Sequence, residues 1–157
     1  DDPAEFDYSH ALMRTIRRQL PVAARVARVI AATRYGRRYA TRIITSHADH
    51  IGSDLLIHQI HGARECAIAD PLLAGARDVD WHIDAARITC PVRIVWGTAD
   101  RVLRWPAAAT RFREEWLTDA DWVELAGVGH CPQLEAPERV SQLILEITAA
   151  GTDVADS

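Results

Sequence analysis

Two periods divide the chain. Through residues 4–89 the apolar positions recur at helical spacing and no convincing strand pattern occurs. Met13, Ile16 and Leu20 form one stripe. Pro21 then predicts the start of a second helix, at a position where a missing N–H costs little. Val22, Val26, Val29, Ile30 and Thr33 continue a 3.6-residue stripe to Tyr35-Gly36, which reads as a stop. A later helix is predicted from Ser53 to about Arg64, with Leu56, Ile60 and Ala63 on one face. Asp70-Pro71 breaks it, and a shorter helical segment is expected over 78–87. After residue 90 the period changes. Val92-Arg93-Ile94-Val95-Trp96, introduced by Pro91 and ended by Gly97, reads as a short buried parallel strand. A helix comes next, with Pro106 in its first turn and Trp105, Ala109, Phe112 and Trp116 as its stripe. Asp121-Trp122-Val123-Glu124-Leu125 alternates as an edge strand does. A last helix starts near Pro137, with Val140, Leu143, Ile144 and Ile147 on one face. Strand, helix, strand, helix is the pattern of a right-handed crossover unit.

Composition narrows the class without changing this division. With 48% hydrophobic and 25% charged residues in 157, the chain is an ordinary globular sequence. A net charge of −4 gives no electrostatic reason to expect nucleic acid or an anionic membrane as partner. All 18 basic residues are arginine, which no physical requirement explains. Cys66, Cys90 and Cys131 are odd in number and irregularly spaced, so no disulfide framework is indicated. No apolar run approaches the ~18 residues that span a bilayer. The acidic start, Asp1-Asp2-Pro3, has no signal-peptide pattern and looks like an internal cut or a processed end, with a cytoplasmic origin as the default.

Chemistry is concentrated in two loops, each at the C-terminal end of a predicted strand, where open parallel sheets place their sites. Gly97-Thr98-Ala99-Asp100 turns off the first strand and leaves a carboxylate at the rim. Gly127-Val128-Gly129-His130-Cys131-Pro132 uses two glycines to present an imidazole in a tight loop. An Asp and a His on neighbouring strand ends can meet. The carboxylate would then accept from Nδ1–H and stabilise the imidazolium formed when Nε2 takes a proton. Either motif alone is more often a structural turn than a site. The two in this order, with a crossover helix between them, favour catalysis.

The run Ile88-Thr89-Cys90-Pro91-Val92-Arg93-Ile94-Val95-Trp96-Gly97-Thr98-Ala99-Asp100 resembles the strand and acid loop that come after the cap in α/β-hydrolases. The segment from Val123 through His130 to Glu135-Ala136-Pro137-Glu138-Arg139-Val140 resembles that family's last strand, histidine loop and final helix. The resemblance covers roughly residues 86–148. It implies an α/β fold: a helical cap over residues 1–87, then the β-α-β-α C-terminal unit of a parallel sheet over 88–150, then a disordered tail over 151–157. It implies hydrolysis of a small-molecule substrate, esterase-like, with Asp100 as the triad acid and His130 as the base. Val102, Leu103 and Cys131 would be pocket walls, and no cofactor, metal, nucleic acid or membrane is implied. An Asp nucleophile upstream would instead give epoxide or haloalkane hydrolysis. A non-catalytic remnant or binding module with the same fold is the alternative from another class.

The family's Gly-x-Ser-x-Gly nucleophile elbow does not occur in the sequence. Ser9, Ser46, Ser53, Ser141 and Ser157 lack the flanking glycines, and Gly52-Ser53-Asp54 reads as a helix start. The expectation is a fragment, a truncated gene product or half of a split enzyme, silent by itself and needing the upstream part of the core. Weaker candidates remain. His47-x-x-His50 and His58-x-x-His61 could hold zinc only if both pairs converged, and collection on a polar face is favoured. Tyr35 and Tyr39 resemble the cap tyrosines of epoxide hydrolases, but surface packing among Arg34, Arg37 and Arg38 is favoured, as is a solvated face for that arginine cluster.

Overall fold

The computed structural model describes residues 3–78 and 83–155, with side chains as far as residue 149. It divides into two compact units, one of residues 1–42 and 47–81, the other of 43–46 and 82–157.

The regular elements of the first unit, among its described residues, are all helices: α1 (Pro3–Arg25), α2 (Ala27–Ala31), α3 (Arg34–Thr41), α4 (Ser53–Glu65) and α5 (Ala69–Gly75). Its core is built from small residues on one side and branched residues on the other. Ala24, Ala27 and Ala31, at i, i+3 and i+7, are buried, and α4 turns Leu56 and Ile60 inward. Both α1 and α2 pack on α4. Alanines let helix axes approach closely, which leaves the larger valines outside. Hence the predicted valine stripe is reversed: Ala27 is 1% exposed whereas Val29 is 74% exposed, and Val22 is exposed too.

Three predicted breaks also move. Pro21 lies inside α1 and starts no new helix. Thr33 caps α3, its hydroxyl accepting from Gly36 N at 3.0 Å, so Gly36 sits within a helix and does not end one. Asp70-Pro71 likewise falls in the first turn of α5, where a proline is tolerated, and α4 stops earlier, at Glu65. Arg17 ties the unit together. All five of its N–H groups are used: Nε and Nη2 grip the two oxygens of Asp70, Nη1 donates to the carbonyls of Ala63 and Arg64, and Nη2 also donates to Cys66 O. One guanidinium thereby satisfies carbonyls that the end of α4 leaves unpaired.

The second unit carries a 3-10 turn (Ala85–Arg87), β1 (Arg93–Gly97), α6 (Ala107–Arg111), a π turn (Phe112–Trp116), β2 (Asp121–Leu125), α7 (Pro132–Glu135) and α8 (Pro137–Ala155). The strands are parallel, with Arg93 opposite Asp121 and Gly97 opposite Leu125. A parallel pair needs a long crossover, which α6 and the π turn supply. Alternation splits the ribbon into two faces. On one, Trp96 stacks on Trp122 at 5.8 Å and meets Phe112 at 5.7 Å, with Trp116 edge-on to Phe112. On the other, Arg93 pairs with Asp121 and donates to Leu143 O and to Glu146 of α8. Among the described side chains of α8, Leu143 is the fully buried one, with Val140 and Ile147 half-buried beside it in sequence period, while Ile144, assigned to the same face from the sequence, is exposed.

The fold class expected from the sequence is overturned. Helix accounts for 60% of the described residues, which hold eight α-helices and only two strands in one sheet. A helical cap with a β-α-β-α unit of a parallel sheet after it does not describe such a molecule. Two five-residue runs make a ribbon, whereas a sheet that forms the core of an α/β domain needs more strands buried on both faces. The helical segment expected over 78–87 falls partly on residues 79–82, outside the described ones; the next element in the chain is the single 3-10 turn.

Candidate active site

Because β1 and β2 are parallel and in register, the loops leaving their C-terminal ends begin side by side. They are then stitched together. Thr98 N donates to Leu125 O at 3.0 Å, Ala99 N to Val128 O at 2.9 Å, and Gly127 N to the Thr98 hydroxyl at 2.9 Å. Contact is so close that a Cβ on Gly97 would run into the carbonyl oxygens of Val128 and Gly129, so only glycine fits there. Gly127 turns the second loop with a φ of +74°, a left-handed conformation open to glycine at little cost.

This stitching brings Asp100 and His130 together. Oδ2 of Asp100 lies 2.9 Å from His130 Nδ1, and Oδ1 accepts from Val102 N at 2.7 Å and Leu103 N at 2.9 Å. The carboxylate is thus fixed at both oxygens, with its side chain 6% exposed against 32% for the imidazole. An acceptor-only carboxylate requires the proton on Nδ1, which leaves the lone pair of the neutral ring on Nε2. No hydroxyl of the described residues hydrogen-bonds Nε2.

Glu135, at the end of α7, is the residue that sequence reasoning missed. Its buried carboxylate accepts from Gly129 N through Oε2 and from Ser46 N through Oε1, at 2.5 and 2.8 Å. Cys131 N donates to Ile44 O at 2.9 Å, so the segment 43–46 backs the histidine loop from the far end of the sequence. A glutamate five positions after the histidine carries no recognisable signal, because its partner at residue 46 is 89 positions away.

The expected wall residues separate. Val102 is buried and Leu103 half-buried, and both serve Asp100 through their backbone N–H groups. Cys131 is half-buried and free; burial, with smaller contributions from the charges of Asp100 and Glu135, pushes its thiol up from the ordinary value. A thiol held protonated is a poor nucleophile and suits a wall better. In the helical unit, Tyr35 and Tyr39 are exposed, with Arg42 lying over the Tyr39 ring at 3.9 Å. Arg34 makes a two-pronged pair with Asp49, Arg38 lies 3.9 Å from the same carboxylate, and Arg37 donates to Ala31 O. Among the described residues no group of three or more His, Cys, Asp or Glu side chains is arranged to hold a metal ion. None of the described helices is long and apolar enough to cross a membrane.

Compared by sequence, the chain matches no known protein family and no curated protein. Compared by structure, it resembles a lipase-like hydrolase. That protein is a membrane phospholipase A, a bacterial virulence factor, whose crystal structure matches with a TM-score of 0.57 and 16% sequence identity over 80% of this chain. The match covers 41% of the phospholipase, so this chain spans less than half of that neighbour's length. At such identity the likeness is one of fold.

Proposed function

We propose that the chain supplies the acid and the base of a hydrolase, an esterase acting through a serine nucleophile that lies outside these 157 residues. The observation that carries the reading is the contact between Asp100 Oδ2 and His130 Nδ1. The structural likeness to a phospholipase supports a hydrolytic role. In this reading Nε2 takes the proton from the serine hydroxyl as its oxygen attacks the ester carbonyl. The imidazolium, held by Asp100, returns that proton to the leaving alcohol, and water then repeats the cycle on the acyl-enzyme.

The test needs the protein that contains the nucleophile. His130→Ala there is expected to abolish p-nitrophenyl ester turnover while leaving the circular dichroism spectrum unchanged. Unchanged turnover would remove His130 from the mechanism. The 157-residue chain alone is expected to leave a fluorophosphonate probe unreacted, and labelling at any of its serines would refute an external nucleophile.

A further inference from the structure

The helical unit contains a cleft of about 460 Å³ between α1 and α5, lined by His10, Arg14, Arg17, Arg18, Leu73 and Arg77, with Asp70 and Ala74 completing it. A second hollow of about 370 Å³ shares Arg17, Arg18 and Asp70. Four guanidiniums on one cleft of a chain with net charge −4 mark a local reversal of sign.

Their partners distinguish them. Arg17 has every donor occupied and is matched by Asp70. Arg77 pairs with Asp7 at 2.7 Å. Arg14 and Arg18 pair with no carboxylate among the described residues. They stand four apart on α1, where side chains on one helix face lie about 5–6 Å from each other at Cβ. Two planar guanidiniums at that spacing can each present a pair of N–H groups to one oxyanion. The rest of the cleft is firm: His10 Nε2 donates to Leu73 O at 2.7 Å, joining α1 to α5, and the His10 ring stacks on Phe6. Leu73 and Ala74 add apolar wall, and the volume lies in the range of small-molecule sites.

We infer that this cleft binds the phosphate group of an organic phosphate, gripped by Arg14 and Arg18, with the organic part along Leu73 and Ala74. The cleft lies in the helical unit, and the inference does not rest on the function of the Asp100–His130 pair. The phosphate could belong to a free phosphomonoester or to a lipid headgroup, and the two are separable by experiment.

The full chain is titrated calorimetrically with glycerol 3-phosphate in physiological salt, and tested for cosedimentation with phosphatidylcholine vesicles with and without phosphatidic acid. Saturable binding is expected in at least one arm. Binding of glycerol 3-phosphate alone assigns a free ligand, and binding to phosphatidic acid vesicles alone assigns a headgroup. The double variant R14Q/R18Q should weaken that binding about tenfold or more, whereas R113Q, in the other unit, should not. Both arginines are exposed, so the fold should survive, as circular dichroism will report. If the double variant does not fold, NMR shifts of the wild-type chain on adding glycerol 3-phosphate or phosphatidic acid vesicles decide, since they must fall on α1 and α5. No saturable binding in either arm, undiminished binding by R14Q/R18Q, or shifts elsewhere would overturn the inference.

Discussion

The imidazole of His130 has its tautomer set by one neighbour, and that makes the neighbour testable. Asp100 accepts from Nδ1 and from two backbone N–H groups. Asp100→Asn replaces one acceptor oxygen by an amide that can turn a donor toward Nδ1, favouring the Nε2–H form. Nitrogen NMR of the chain should therefore report Nδ1–H in the wild type and an increased Nε2–H population in the variant. Identical spectra would mean that Asp100 does not govern the ring. In the protein containing the nucleophile, the same substitution should lower kcat by roughly 10⁴-fold, the scale of the Asp-to-Asn change in a triad. Cys131 gives a second residue-scale expectation. With its thiol pushed up by burial and by nearby carboxylates, the thiolate fraction at pH 8 falls below that of an ordinary cysteine. Iodoacetamide should modify the exposed Cys66 and Cys90 first, and the lag at Cys131 should narrow as the pH is raised. Cys131 reacting fastest in peptide mapping would contradict its placement.

At the scale of elements, the site exists because two loops lie against each other and a third segment supports them. Gly97→Ala puts a methyl into the carbonyls of Val128 and Gly129, a backbone clash that no side-chain rotation relieves. A cost of about 2–3 kcal/mol is expected, read as a lower denaturation midpoint, and the two loops must part, so the Nδ1 contact should weaken as well. Glu135→Ala leaves the N–H groups of Gly129 and Ser46 without an acceptor, at about 1–3 kcal/mol for each group that stays buried. Its signature should be faster hydrogen exchange at residues 127–131 and at Ser46; unchanged exchange would show that the carboxylate supports neither. These elements also divide what sequence can reveal. β1, β2 and the positions of Asp100 and His130 are legible, because a β-branched run, a glycine turn and a polar residue succeed one another within a dozen positions. Glu135 is not, since its role depends on residue 46. The inward face of α1 and α2 is hidden for a related reason. Helical period offers both an alanine face and a valine face, and the approach of α4 decides between them. The class as a whole is misleading in sequence, because two clear strand patterns stand out from a chain that is mostly helix.

The whole molecule should respond to acid chiefly through its helical unit. Asp70 is held below the usual carboxylate range by its hydrogen bond from Arg17, and Asp49 by its hydrogen bond from Arg34, each against a smaller opposing effect of partial desolvation. Both belong to that unit. The unfolded chain has neither partner and takes up these protons near the ordinary value of about 4. Each group's contribution to stability is therefore fully present above that pH, and is lost as the pH falls through the lower folded value. The two pairs are exposed enough to be screened, so the effect should shrink in molar salt. Circular dichroism melts between pH 7 and pH 2.5 should show the wild-type Tm dropping below about pH 4. D49N/D70N should start lower at pH 7 and fall less steeply, because the linked protons are gone. Four of the five tryptophans lie in the other unit. On acidification, helix signal should consequently be lost before tryptophan emission shifts. Parallel pH profiles for wild type and double variant would assign acid sensitivity to groups other than these two aspartates.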